Sequence, residues 1–302
     1  MFEVSIFVKK QATVGLFYLS CVSSCFQKHK RMYRLFLLSL LILGISCNSQ
    51  SGDANYNNDY KASFDSILNS YDLTGSILIY NPQQKDYYSN DFEWANRGFL
   101  PASTFKIPNA IIALETSLIK SDTSILRWDG KQRDFDSWER DLTLREAFQA
   151  SCVPCFQEIA RKIGTTQMKT YLNKLHYNNM DVTAENIDSF WLKGNSRISS
   201  FEQINFLERF ILKKLPILNS TRESMLKIFT IEENNIYKLS GKTGWSYNEK
   251  DNNGWFVGFL EKDNKIYYFA LNAIPKDPNN MEKFTEGRKQ AIYDTFKLMK
   301  LL

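Results

Sequence analysis

Strand-like runs occur at both ends of this chain, and helical periodicity fills the middle. Near the start, "GSILIYN" is β-branched and bounded by turn residues at Asn81 and Pro82, with Tyr87 and Tyr88 expected in its hairpin partner. Near the end come "IYKLSGKTGW", "GWFVGFLEK" and "KIYYFALNAI", the last two joined by Lys262, Asp263 and Asn264 in a hairpin-type connection. From Ser103 to about Lys227, "NAIIALETSLI", "TLREAFQAS", "FQEIARKIG" and "FEQINFLERFILKKL" place apolar residues three and four apart. An amphipathic helix near Lys61 to Tyr71 and a closing helix from about Asn280 to Lys300 flank the strands. Strands from both chain ends with helices between them imply an α+β fold of the α/β sandwich type. Its central antiparallel sheet is built from both ends, beside a mainly helical lobe. The cleft between the two is the default site.

At 302 residues the chain can bury a substantial core, and 43% apolar with 24% charged residues is an ordinary globular balance. Its net charge of +5 is modest and its cations are mixed with acids, so nothing argues for a nucleic-acid partner. The N-terminus reads as an export signal: Lys28, Lys30, Arg31 and Arg34 precede an apolar run from Leu35 to Ile45, too short to span a bilayer. Met32 fits as a start, because "MYRLFLL" is already complete as a signal; the competing patch "VGLFYLSCV" is only nine residues long. Cys47 closes the run after Gly44 and Ser46, and the polar "NSQSGDANYNND" follows at once, which favours a lipidated Cys47 on a flexible tether over a cysteine left there by ordinary cleavage. The expected organisation is an N-terminal extension and signal over 1–47, a polar linker over 48–60 and one catalytic domain over 61–302. The expected location is exported and periplasmic, tethered to the membrane through Cys47.

Histidine supply limits the chemistry. The chain has two, and His29 falls in the signal, so a Ser-His-Asp triad would have to use His176, which no G-x-S-x-G elbow accompanies. A catalytic zinc site usually needs three protein ligands including histidines, so no metal is expected. In "QASCVPCFQE", Cys152 and Cys155 have C-x-x-C spacing, but an amphipathic helix precedes them where a redox pair would follow a strand. The plain reading is two small apolar residues packed near a helix junction.

Serine catalysis without histidine needs a nucleophile, an amine or carboxylate as base, and oxyanion donors. S-x-x-K puts the first two on one helical face. It occurs at Ser103–Lys106, Ser117–Lys120 and Ser224–Lys227, and the last two read as serine and lysine on solvated helix edges. Ser103 differs. Pro101 and Ala102 signal a helix start, Phe105 and Ile107 surround Lys106 with apolar bulk, and Pro108 cannot donate to the Thr104 carbonyl, so the helix should begin irregularly. Desolvation of Lys106 would free a neutral amine able to act as a base or to react with carbon dioxide. In "SGKTGW", strand alternation aims Lys242 and Gly244 to one face, where glycine lets a substrate lie close. An exposed lysine at a strand-end turn is the alternative for K-T-G alone.

Taken together, "STFK" at Ser103, "SCV" at Ser151 and "KTG" at Lys242 resemble the ordered markers of the serine β-lactamase and penicillin-binding superfamily. Val153 in the middle motif, where asparagine is the other option, is similar to the class D β-lactamases, the oxacillinases. "PASTFKIPNAIIALE", "RWDGKQRDFDSWERDLTLREAFQASCVPCFQEIARKIG", "FWLKGNSRIS" and "GWFVGFLE" extend the likeness, which runs from about Asp72 to the C-terminus. The resemblance implies hydrolysis of β-lactams through an acyl-enzyme on Ser103. Lys106, carboxylated on its amine by carbon dioxide, would be the general base, and no other cofactor is implied. Phe105, Val153, Phe156 and Leu192 would form the carbamate's apolar pocket and Trp191 would hydrogen-bond it. Ser151 and Lys242 would relay protons to the leaving nitrogen, leaving Cys152 a spacer and Cys155 a packing residue. Thr243 and Arg288 would hold the substrate carboxylate beside Gly244, and the backbone N–H groups of Ser103 and Trp245 would form the oxyanion hole. The family's Y-G-N element is here Tyr177-Asn178-Asn179, so strain is expected where its glycine is missing, with consequences for the loop bearing Trp191. The alternatives are a penicillin-sensing receptor domain, which stays acylated, and a cell-wall transpeptidase or carboxypeptidase, against which Val153 argues.

Overall fold

The computed structural model describes residues 54–246, 252–277 and 281–302. The export signal, Met32, Cys47 and the first residues of the expected linker lie outside these. Inside the stretch expected to be linker, Asn55–Asn57 forms a strand, β1. One side chain anchors this otherwise polar segment: Tyr56 stacks on Tyr87 at 5.9 Å between centroids and meets Phe92 edge-on at 5.2 Å.

Helix α1 (Lys61–Ser70) buries Phe64 and Leu68, and β2 (Leu73–Asn81) and β3 (Asp86–Ser89) form the opening hairpin. A short α2 (Phe92–Asn96) is capped by Asp91, which accepts from the Trp94 N–H. A 3-10 turn over Ala102–Phe105 leads into α3 (Lys106–Glu115), the irregular start that Pro108 predicts. Two short strands absent from the helical expectation, β4 (Ile125–Leu126) and β5 (Leu142–Thr143), pair before α4 (Leu144–Gln149). The lobe continues with α5 (Val153–Lys174), broken at Gly164 (φ 75°), then α6 (Ser200–Ile211) and α7 (Asn219–Phe229). The chain returns through β6 (Thr230–Glu233), β7 (Lys238–Ser246), β8 (Asn253–Lys262) and β9 (Lys265–Pro275), and α8 (Met281–Leu298) closes it.

Among the described residues the main sheet has the order β1-β3-β2-β9-β8-β7-β6, antiparallel except where β1 joins β3. Strand β2 pairs with β9 from Leu73↔Pro275 to Tyr80↔Tyr268, so the two ends of the chain are joined at the centre of the sheet. The β8–β9 hairpin turns through Asp263 (φ 50°) and Asn264 (φ 58°), two residue types that tolerate the left-handed conformation a tight hairpin requires. Alternation on β8 divides the core: Trp255, Val257 and Phe259 pack beneath the helical lobe, while Phe256 and Leu260 pack with Phe64 of α1 and Phe296 of α8. Helices therefore cover both sheet faces, which explains why β8 is buried almost throughout.

Candidate active site

The turn before α3 is held from several sides. Ala102 has φ 48°, a left-handed conformation that costs a residue with a β-carbon about 1 kcal/mol. Its N–H donates to the Trp191 carbonyl at 2.8 Å. Thr104 Oγ1 donates to the Pro101 carbonyl at 2.6 Å and accepts from Gln203 Nε2 at 2.8 Å. Strand β7 lies against this turn through Gly244, where a β-carbon would come within 3.2 Å of both Pro101 O and Thr104 N. Glycine there lets the strand lie this close without pushing the turn away by a few tenths of an ångström.

The result is Ser103 at the start of the turn with Lys106 three residues on. Lys106 Nζ donates to Ser103 Oγ at 2.7 Å. Ser103 is 7% exposed and Lys106 is wholly buried, its Nζ 5.5 Å from the Phe156 ring centroid. Burial pushes the Lys106 amine down to about 7 from its ordinary 10.5.

Phe105 stacks on Trp191 at 5.2 Å and meets Phe190 edge-on at 4.7 Å, while Val153 and Leu192 pack half-buried against the same core. The Trp191 indole N–H is fully buried and has no hydrogen-bond partner among the described residues. Asn109 Nδ2 donates to the Phe156 carbonyl at 3.1 Å, tying α3 to α5. Phe190 and Asn109 lie inside two of the family-like stretches, but nothing in the sequence singles out either as a site residue.

Ser151 closes α4 and touches α5. Its N–H donates to Phe148 O at 3.1 Å and the Cys152 N–H to Ala147 O at 2.8 Å, the paired bonds of a helix C-terminus that glycine most often completes. Ser151 takes that left-handed position at φ 55°. Its Oγ accepts from Lys242 Nζ at 3.0 Å, and Lys242 also donates to Thr243 O at 2.8 Å. Phe148 supplies an apolar wall, 5.6 Å from Lys242 Nζ. Burial first, then the charges of Lys106, Arg288 and Lys289, hold the Lys242 amine well below the ordinary lysine range.

Thr243 alternates to the opposite side from Lys242 and pairs with Phe256. Arg288 approaches from α8 and donates to the Gly244 carbonyl and, at 3.2 Å, to the Phe284 carbonyl. A β-carbon at Gly254 would meet Arg288 Cδ at 2.5 Å, so that glycine makes room for the arginine. Burial lowers the Arg288 guanidinium to about 10. Trp245 Nε1 donates to Asn252 at 3.1 Å.

Three expectations change. Cys152 and Cys155 are not two separate packing residues: they form a disulfide, with Cα atoms 5.4 Å apart at the start of α5. Spacing of three residues in a helical first turn brings the two sulfurs together, a pairing that needs only the helix start after Cys152 and not the preceding strand of a redox motif. Ser224 is buried while Lys227 is exposed, so that S-x-x-K is split between two helix faces; Ser117 and Lys120 are both exposed as expected. The missing glycine at 178 leaves no left-handed residue there, since the positive φ values fall on His176 (49°) and Asn179 (60°), types that adopt them comparatively readily. Among the described residues no three His, Cys, Asp or Glu side chains gather as a metal site.

Ser103 and Ser151, each held by a buried lysine, meet where β7 lies against the helical lobe, an arrangement suited to acyl transfer. The penicillin binding protein transpeptidase domain matches residues 72–294. Beta-lactamase OXA-10 of Pseudomonas aeruginosa is 38% identical over 242 residues, 79% of this chain and 89% of that protein. The crystal structure of the class D β-lactamase YbXI from Nostoc superposes with a TM-score of 0.75 at 40% identity, covering 79% of this chain and 99% of that one. The regulatory protein BlaR1 of Bacillus licheniformis is 33% identical over 215 residues, 71% of this chain but 35% of that protein. The chain belongs to the penicillin-binding transpeptidase family, within its class D β-lactamase branch.

Proposed function

We propose that this protein hydrolyses β-lactams through an acyl-enzyme on Ser103, and that the observation carrying this reading is the 2.7 Å contact between Ser103 Oγ and a buried Lys106 amine lowered to about 7. A neutral amine keeps its lone pair, so the same contact lets the serine hydroxyl donate its proton as Oγ attacks the lactam carbonyl carbon. The developing oxyanion is received by the backbone N–H groups of Ser103 and Trp245. When the C–N bond breaks, the ring nitrogen takes a proton through Ser151 and Lys242, which are in direct contact. Thr243, Gly244 and Arg288 receive the substrate carboxylate at β7. Water then attacks the ester with Lys106 again serving as base, and Ser103 is regenerated.

Carboxylation of Lys106 by carbon dioxide fits the residues around it. The amine is wholly buried beside Phe156; Phe105, Val153 and Leu192 belong to the same core, and Trp191 offers a buried N–H with no acceptor among the described residues. A carbamate there would supply an anionic oxygen base that stays deprotonated near neutral pH and would accept from that indole. Export, and a lipid anchor on Cys47, rest on the N-terminal sequence alone. Cys47→Ser would release the protein from the membrane fraction if the anchor is right and leave its fractionation unchanged if it is not.

Similarity to BlaR1 supports a second reading, a receptor domain acylated once and not turned over. A chromogenic cephalosporin separates the two. Continuous turnover supports hydrolysis, and a single stoichiometric burst supports the receptor.

A further inference from the structure

We infer that the Cys152–Cys155 disulfide is a positioning device for Ser151, a covalent clip that holds the relay serine against Lys242 and that a small dithiol can open. The inference rests on the acyl-transfer reading above and names a part of that site which its chemistry does not require.

The other helices of the lobe show what the clip replaces. α4 and α6 each begin with a reciprocal capping box. Thr143 and Glu146 exchange side-chain-to-backbone hydrogen bonds at 2.8 and 3.2 Å, and Ser199 and Glu202 do so at 2.7 and 3.2 Å. Cys152 and Cys155 occupy the same two places at the start of α5, the cap and the third helical residue. Cys152 Sγ accepts the Cys155 N–H at 3.3 Å, but sulfur is a weak acceptor. Cys155 carries no carboxylate to return the bond, and the Cys152 N–H is already committed to Ala147 O. The S–S bond fixes the cap to the first turn where the hydrogen bonds of α4 and α6 do so elsewhere.

Position gives the clip its consequence. Ser151 ends one helix and Cys152 caps the next, so no residue between them absorbs a change in direction. Ser151 is held left-handed, a conformation its β-carbon disfavours, and relaxing it would swing Oγ away from Lys242 Nζ, now 3.0 Å distant. The two bonds closing α4 restrain it on one side and the disulfide on the other.

The bond is open to attack from one direction. Cys152 is fully buried and Cys155 half-buried. A cavity of about 270 Å³ reaches both, lined also by Pro154, Trp138, Trp128 and Lys120. A thiolate entering there attacks Cys155 Sγ, and Cys152 leaves as a thiolate at the N-terminus of α5, a place that stabilises it. The second thiol of the reductant resolves the mixed disulfide. Two electrons and two protons pass to the cysteines as the dithiol becomes a cyclic disulfide.

The test compares oxidised and dithiothreitol-reduced full-length protein, with free thiols counted, in single-turnover acylation by a chromogenic cephalosporin. Reduction is expected to slow acylation roughly tenfold, the scale of a sub-ångström misplacement, with the half-saturating concentration unchanged and the rate restored on reoxidation. Cys152→Ala/Cys155→Val is expected to show the slow rate with or without reductant. In Ser151→Ala, reduction should change nothing further, because the clip acts through that hydroxyl. Equal rates in the oxidised and reduced protein, a double variant as fast as the oxidised protein, or an undiminished redox effect in Ser151→Ala would each overturn the inference. An oxidised protein that forms no acyl adduct at all would instead sink the acyl-transfer reading.

Discussion

Lys106 and Lys242 are both buried, both depressed by desolvation and each bonded to a serine hydroxyl, yet they sit in different company. Lys106 donates to Ser103 and is otherwise wholly buried, with the Phe156 ring beside its amine. Lys242 has two acceptors, Ser151 Oγ and Thr243 O, and lies among other cations. An amine committed to acceptors is suited to pass protons to a leaving group. An amine surrounded by hydrocarbon is suited to take a proton and, when neutral, to add carbon dioxide. The same residue type is thus divided between base and relay by what surrounds it.

The largest effect that would break this division is in Lys106→Ala, expected to lower kcat/KM by about a thousandfold in steady-state assays, the middle of the range for a general base. Lys242→Ala should cost about a hundredfold, since substrate protons have other routes to the leaving nitrogen. If the two losses come out reversed, the roles assigned here are reversed as well. Bicarbonate should sharpen the contrast further. Turnover of the parent should fall in carbonate-depleted buffer and recover on addition, and Trp191→Phe should accumulate acyl-enzyme because the carbamate loses its donor. Bicarbonate-independent turnover would leave Lys106 as a plain amine.

The smallest effect is on stability. Between about pH 7 and 10.5, Lys106 is neutral in the folded chain and protonated in the unfolded one. The unfolded state then binds more protons, so stability rises with pH across that window. Urea midpoints at pH 7 and pH 9 should show the rise, and Lys106→Met should reduce its slope without abolishing it, because Lys242 contributes with the same sign. An unchanged slope in Lys106→Met would mean that the amine is not desolvated.

Much of this site could be read from the chain. S-x-x-K at Ser103 stands out because Pro101, Phe105 and Pro108 announce a buried, irregular helix start, and Lys242 and Gly244 share a strand face by alternation alone. That the sheet draws on both ends of the chain followed from strand-like runs there with helical periodicity between them, whereas the strand order itself was not legible. What escaped was set by distant packing. Phe190 reaches Phe105 only in the folded lobe, and Phe148 comes under Lys242 only once α4 meets β7. Strand β1 depends on Tyr56 finding Tyr87 and Phe92, so its polar sequence reads as linker. The disulfide escaped for another reason. C-x-x-C spacing permits a bond, a metal or plain packing, and only the geometry of the α5 start selects among them. Closing so short a ring contributes about 2 kcal/mol through the unfolded chain, so its influence is mainly local.

Peptide mass spectrometry of the protein quenched after mixing with a penicillin tests the central claim most directly. One adduct is expected, equal in mass to the intact penicillin, on the peptide containing Ser103, and none in Ser103→Ala. An adduct on the peptide of Ser117 or Ser224, or unchanged labelling in Ser103→Ala, would contradict it.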